Sequence, residues 1–297
     1  AETSQSVMLQ AVKKSDNSPA CVPAYANTSR DLKFTCAYTN PSTGTLPVRV
    51  GARALNAGNS VSAACDATGQ NVSLTFNASG VATTAVQYAD VGRITLNAED
   101  TTPGSTMSGS DVFVAAPARF VFSGVTPGPI KAGGNFAATV SAHNSANAVT
   151  PNFGRETPAE GVVLAFNKVA PTGSGASNGI LGGALGAFVA GSASASNLNW
   201  SEVGTLDLTA TLASGSYLSS GLSATGTTDT TASGGAAGQV GRFIPDHFAT
   251  EVTQGCAAGS FTYSGQSMAT VVRARNAAGN VTVNYDGTGN TSPNFAK

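Results

Sequence analysis

The chain has 297 residues, 35 of them glycine, and only 10% of its residues carry charge. Fifteen Lys and Arg against 16 Asp and Glu leave a net charge of -1, so no basic field exists to hold nucleic acid or an anionic membrane surface. An apolar fraction of 41% argues against disorder, and the longest apolar run, Ile180–Gly191, is 12 residues long, short of the roughly 20 that cross a bilayer as a helix.

Apolar residues alternating with small or polar ones predict short strands at Leu32–Tyr38, Val72–Phe76, Ile94–Ala98, Val162–Phe166, Leu206–Leu212 and Val281–Tyr285. Turn formers separate them, as in Asn40-Pro41-Ser42-Thr43-Gly44, Asp66-Ala67-Thr68-Gly69 and Thr126-Pro127-Gly128-Pro129. No window shows a sustained helical stripe backed by charge. Many short strands broken by Gly and Pro bury one face each most simply in sandwiches, so the predicted class is all-β, as tandem Ig-like β-sandwich domains.

The chain also repeats itself. Tyr88-Ala89-Asp90-Val91-Gly92, followed by a strand, returns as Trp200-Ser201-Glu202-Val203-Gly204. Val112–Phe120 returns as Val240–Phe248, keeping Val, Pro and Phe in place. Ala137–Gly154 aligns without gaps on Ala269–Asp286, with 8 of 18 positions identical. These offsets define units of about 110–130 residues joined near Pro117 and Pro245, where proline removes a strand donor and fixes φ. The expected division is 1–116, 117–244 with a Gly/Ala/Ser-rich loop at 171–197, and 245–297 as the N-terminal part of a third unit. The last stretch is too short for a sandwich of about 100 residues, so the natural protein is expected to continue past Lys297 and to begin before Ala1.

Catalytic motifs are weak by comparison. Gly175-Ala176-Ser177-Asn178-Gly179 matches G-x-S-x-G in letters but lies in a loop, where a nucleophile elbow needs a strand before it and a helix after it. His143 stands where the repeat has Arg275, and His247 where it has Arg119. A position that accepts either ring or guanidinium suits a strand end better than a proton shuttle. The carboxylate clusters Glu99-Asp100 and Glu156 with Glu160 read as solvated charge, and Asp286–Asn290 lacks the alternating acids of a calcium loop. No catalytic, cofactor-binding or metal-binding residue is assigned, and no cofactor is expected. Trp200, replacing Tyr88 in the repeat, reads as core packing.

The four cysteines, Cys21, Cys36, Cys65 and Cys256, lack metal-ligand spacing and read as disulfide formers. Cys36 lies on a strong strand with Cys65 29 residues on, a loop whose closure is worth about 3–4 kcal/mol by chain entropy. Cys21 with Cys36 is the other local option, and Cys256 is left without an assigned partner.

The segments Ala20–Asn27, Cys36–Val48, Tyr88–Gly92, Gly241–Phe248 and Phe261–Gln266 resemble a repeat-containing region of large bacterial surface proteins, similar to the MshQ-type component of mannose-sensitive hemagglutinin (type IV) pilus gene clusters of Gram-negative bacteria. The resemblance implies a secreted or cell-surface protein tied to pilus or adhesion systems, and it brings no catalytic or ligand residues with it. The expected function is a non-catalytic stalk or scaffold segment. Its partners would be other domains of the same longer chain and pilus or surface-filament subunits, with no nucleic acid and no membrane span in this segment. The alternative is an adhesin-type module that binds a glycan or host surface through exposed loops such as 171–197.

Overall fold

The computed structural model describes residues 2–105, 107–173, 175–231, 240–256 and 261–285. Every regular element among them is a strand except two short 3-10 turns, Tyr217–Ser219 and Val283–Tyr285.

The first ten strands are β1 (Gln5–Gln10), β2 (Val12–Lys14), β3 (Cys21–Pro23), β4 (Thr28–Asn40), β5 (Val48–Val50), β6 (Arg53–Ala54), β7 (Gln70–Phe76), β8 (Val81–Tyr88), β9 (Gly92–Asp100) and β10 (Ser108–Ala115). They build two antiparallel sheets, in the orders β1-β8-β5-β6 and β10-β9-β4-β7, with β2 and β3 forming a separate hairpin. The alternation predicted for Leu32–Tyr38 holds within β4: Leu32 and Phe34 point inward and join Val72, Leu74 and Phe76 from β7 and Ile94 and Leu96 from β9 in one core. A disulfide joins Cys36 to Cys65, with Cα atoms 5.9 Å apart. Cys21 and Cys256 are free thiols.

The next nine strands are β11 (Arg119–Ser123), β12 (Pro127–Lys131), β13 (Phe136–His143), β14 (Val162–Ala170), β15 (Leu181–Gly182), β16 (Ser192–Trp200), β17 (Gly204–Leu212), β18 (Thr225–Thr227) and β19 (Val240–Ile244). They form the sheets β11-β13-β16-β15 and β12-β19-β17-β14, with β18 added to β17. Between the sheets lies a second core around the aromatic chain Phe120, Phe153, Phe188 and Tyr217 and the trio Phe136, Phe243 and Trp200. Strands β20 (His247–Thr253) and β21 (Ala269–Arg275) pair as a hairpin in full register. Pro117 lies between β10 and β11, and Pro245 between β19 and β20.

Three sequence expectations need correction. Asp100 and Glu156, expected as solvated charge, are buried. Residues 171–197 are not a free loop: they contain β15 and the start of β16, Phe188 is buried in the core, and Leu181 and Leu185 pack against it. Val281–Tyr285 is not a strand. Its alternation is real but inverted, with Val281 and Val283 46% and 51% exposed while Thr282 and Asn284 are only 3% and 1% exposed. Burial of the polar residues, against the usual preference, means that their partners lie outside this segment.

Candidate functional site

Those partners define a joint built twice. In the first copy the turn between β8 and β9 carries Asp90, fully buried. Its Oδ1 accepts the backbone N–H of Val91 at 2.9 Å and of Asn152 at 3.0 Å, and its Oδ2 accepts the Thr45 hydroxyl at 2.8 Å. The Asn152 amide donates to the Tyr88 hydroxyl at 3.2 Å and to the Val91 carbonyl at 3.5 Å. Asn144 donates to the Ala89 carbonyl at 2.8 Å, while its own side-chain oxygen accepts from Ala146 and Ala148 and shapes the loop that presents Asn152.

The second copy uses the turn between β16 and β17. Glu202 spreads its two oxygens over consecutive amides, Oε1 accepting from Val283 at 3.1 Å and Oε2 from Asn284 at 3.2 Å. Asn284 donates to the Val203 carbonyl at 3.2 Å and Asn276 to the Ser201 carbonyl at 3.0 Å. Asn276 shapes its loop as Asn144 does, accepting from Ala278 and Asn280. Thr150 and Thr282 tie each loop to its strand by donating to Ala142 and Ala274.

The sequence repeats are therefore not separate signatures: the acid-Val-Gly turn of one unit is the acceptor, and the Asn-Thr-Asn loop of the following unit is the donor. The glycine of the turn is required in both copies. Gly92 and Gly204 have φ of +141° and +136°, and a Cβ would lie 2.9 Å from the Asn40 carbonyl oxygen and 2.1 Å from that of Ala170. Burial without a counter-ion in hydrogen-bonding contact raises the Asp90 and Glu202 carboxyls above their ordinary range, with the N–H donors pulling the other way.

Further contacts cross each joint. Asn40 and Thr157 exchange two hydrogen bonds, and the Arg93 guanidinium donates to the Leu218 carbonyl at 2.9 Å. At the second joint Ala277 donates to the Ala132 carbonyl, Lys131 pairs with Asp246 at 3.0 Å, and Tyr285 packs on a small cluster of Ala132 and Val203.

One substitution between the copies explains the Gly/Ala/Ser-rich segment. Tyr88 accepts a hydrogen bond from Asn152, but Trp200 in its place has only an N–H donor. The missing acceptor comes from Ser177, whose carbonyl takes the Asn284 amide at 3.0 Å and whose N–H donates to the Asn284 side-chain oxygen at 2.7 Å. The next residue, Asn178, accepts the Trp200 indole N–H at 2.9 Å. In the first copy the side-chain oxygen of Asn152 is buried without a partner. The G-x-S-x-G letters thus mark the plug of the second joint.

The histidines belong to the same repeat logic. Arg119 on β11 faces His143 on β13, and His247 on β20 faces Arg275 on β21. The exchange seen in sequence is one cross-strand pair with its members swapped. His143 bonds Asn147, and His247 bonds Asp246 at 2.8 Å. Glu156 is buried and accepts the Tyr217 hydroxyl at 2.5 Å and the Gly154 N–H at 2.8 Å, whereas Glu160 takes the Ser214 N–H. Among the described residues no three His, Cys, Asp or Glu side chains converge as a metal site requires, and no helix there is long and apolar enough to cross a membrane. Sequence reasoning missed Asp90, Asn144, Asn152, Glu202, Asn276 and Asn284 as functional positions. The signal was present, since three of the eight identical positions of the repeat are polar, at 144 and 276, 150 and 282, and 152 and 284.

Two sandwiches in series, linked by a repeated hydrogen-bonded joint, define a tandem Ig-like β-sandwich protein. The chain belongs to the family described as domain of unknown function DUF6701: residues 1–110 match its first, Ig-like domain, 113–199 its second domain and 202–296 its third. The divide between the second and third matched stretches falls at the Trp200–Glu202 turn, so β17 and β19, which complete the second sandwich, lie in the third stretch. No curated protein matches the chain. Among solved structures, that of invasin, a bacterial integrin-binding protein, aligns with a TM-score of 0.32 and 15% identity over 96% of this chain and 49% of that one. The chain spans about half the length of that structure.

Proposed function

We propose that the chain is a non-catalytic stalk or scaffold segment of a secreted or cell-surface protein. One observation carries this reading: the same joint, a buried acid accepting the backbone N–H of Asn152 or Asn284 and two Asn side chains donating to turn carbonyls, recurs between successive units. A flexible linker needs no such contacts, whereas a spacer that must hold the angle between its units needs them at every junction. The units proposed are 1–116, 117–244 and 245–297, with Pro117 and Pro245 entering each following unit as stiff links. Cys36 and Cys65 serve this role by stapling the first unit, and a disulfide suits an oxidising compartment. The resemblance to MshQ-like proteins supports placing the stalk in a pilus-associated surface protein of Gram-negative bacteria, with other domains of that protein and filament subunits as its partners.

In the adhesin alternative the binding surface is the exposed part of 171–197, such as Ile180 and Val189, since Ser177 and Asn178 plug the second joint and Phe188 is buried. Small-angle scattering tests the stalk. The expected result is an elongated particle with one well-defined maximum dimension, lost in Asp90→Ala and Glu202→Ala, where the units move independently. A wild-type profile that needs a broad ensemble of interdomain angles would refute it.

A further inference from the structure

The two sandwiches differ in one internal strand. Residues 41–80, between β4 and β8, include β7, which pairs antiparallel along the outer edge of β4. In the second sandwich β14 stands in the place of β4, beside β17 as β4 is beside β9. Residues 171–191, between β14 and β16, go instead into the plug of the second joint and into β15, which pairs with β16 in the opposite sheet. Among the described residues β14 therefore pairs with β17 alone, and β18 and β19 take the other edge of β17. The inner row of β14 records the missing strand: Val162, Leu164 and Phe166 are half-buried, whereas Leu32 and Phe34, at the places of Val162 and Leu164, are 6% and 1% exposed. The edge is also poorly guarded against pairing, since β14 holds no proline and its one charged residue, Lys168, lies near its end.

We propose that the free edge of β14 pairs with β14 of a second copy of this chain, antiparallel about a two-fold axis through Leu164. The first sandwich shows what the slot takes. There β7 covers β4 with Val72-Ser73-Leu74-Thr75-Phe76, and β14 itself carries Val162-Val163-Leu164-Ala165-Phe166, the same V-x-L-x-F row. A strand that lacks such a cover thus presents the sequence that provides one, which is what a self-complementary two-fold contact requires. Centring the axis on Leu164 brings the inner rows into full overlap, with Val162 against Phe166 of the second copy, so each chain supplies the apolar cover that the other lacks. The same register sets Lys168 opposite Glu160 of the second copy, with the reciprocal pair across the axis. Backbone pairing along the two edges provides affinity, and the alternating side chains fix the register. One strand per chain is a small contact beside the about 1,200 Å² at the low end of stable interfaces, so the dimer is a weak one.

The test is sedimentation equilibrium of the full chain at low salt, with the free thiols Cys21 and Cys256 alkylated so that no disulfide between copies contributes. Wild type is expected to pass from monomer toward dimer between about 1 µM and 1 mM, and the β14 amides that face away from β17 should exchange more slowly as concentration rises. Val163 and Ala165 are exposed on the outer row and meet across the proposed axis, so changing them leaves the core of the sandwich untouched. Val163→Lys with Ala165→Lys sets lysine against lysine and should weaken dimerisation about tenfold or more. Val163→Lys with Ala165→Glu sets lysine against glutamate in the same register and should restore it. A monomer at every concentration, equal dimerisation of wild type and the double-lysine variant, or no recovery in the lysine–glutamate variant would overturn the proposal. So would slow exchange at those amides that is independent of concentration, because the chain would then be covering the edge itself.

Discussion

Replacing Asp90 by alanine isolates the chemistry of the joint. Asp90 is fully buried and accepts the backbone N–H groups of Val91 and Asn152 together with the Thr45 hydroxyl. Without the carboxylate, two amides lose their acceptor in a site closed to water, at about 1–3 kcal/mol each. The Thr45 hydroxyl can rotate, and removing a carboxyl whose ionised form is penalised by burial returns part of the cost. The net loss is therefore about 2–4 kcal/mol. Asp90→Asn keeps one oxygen for both amides and offers its NH₂ to the Thr45 hydroxyl, so it should cost under about 1 kcal/mol. Hydrogen exchange at Val91 and Asn152 reads this directly, with opening in Asp90→Ala faster by roughly 30- to 1,000-fold at about 1.4 kcal/mol per decade. Unchanged exchange in Asp90→Ala, or equal effects of the two variants, would refute the reasoning.

The pH dependence has a definite sign. Burial raises the Asp90 carboxyl, so the folded state binds its proton more tightly than the unfolded chain, and stability from this group is full below the ordinary carboxylate range and falls as pH rises through the raised value. Thermal unfolding should accordingly shift in favour of Asp90→Asn over wild type between about pH 4 and pH 7; a constant difference would contradict it. Asp66, held down by the Ala57 amide, Asp100, held down by the Tyr25 hydroxyl, and Asp246, held down by His247, act in the opposite sense but are common to both proteins and cancel. At the second joint, Gly179 has φ +65° and a Cβ there would lie 2.6 Å from the Trp200 indole nitrogen. Gly179→Val should displace the plug, red-shift the emission of the single tryptophan and speed exchange at Asn284 while leaving Asn152 unchanged. Reduction, or Cys36→Ser with Cys65→Ser, should lower stability by about 3–4 kcal/mol for a closed loop of this size, measured by urea titration. Without reductant, Cys21 and Cys256 should alkylate and Cys36 and Cys65 should not.

Much of the fold was legible because β-strands write their faces into alternate positions. Leu32 and Phe34 on β4, and Leu206, Leu208, Ala210 and Leu212 on β17, point inward as their spacing requires. The same rule failed at Val281–Tyr285, since period two says that two faces differ but not which one is buried. There Thr282 bonds Ala274 of its own unit, and the neighbouring unit supplies acceptors for Asn284 that no local pattern reveals, above all Glu202, 82 residues away.

The sequence by itself determined the all-β class, the tandem repetition and the exchange of Arg and His between units, because these follow from composition, periodicity and self-similarity. Only the tertiary structure decided that two of the repeated motifs are the two sides of one joint, that Cys36 pairs with Cys65 and leaves Cys21 free, and that the Gly/Ala/Ser-rich segment is a plug. The physical reason is common to all three. Each depends on which polar group or thiol a distant part of the chain brings within hydrogen-bonding or bonding distance, and that distance is set by packing rather than by spacing along the chain.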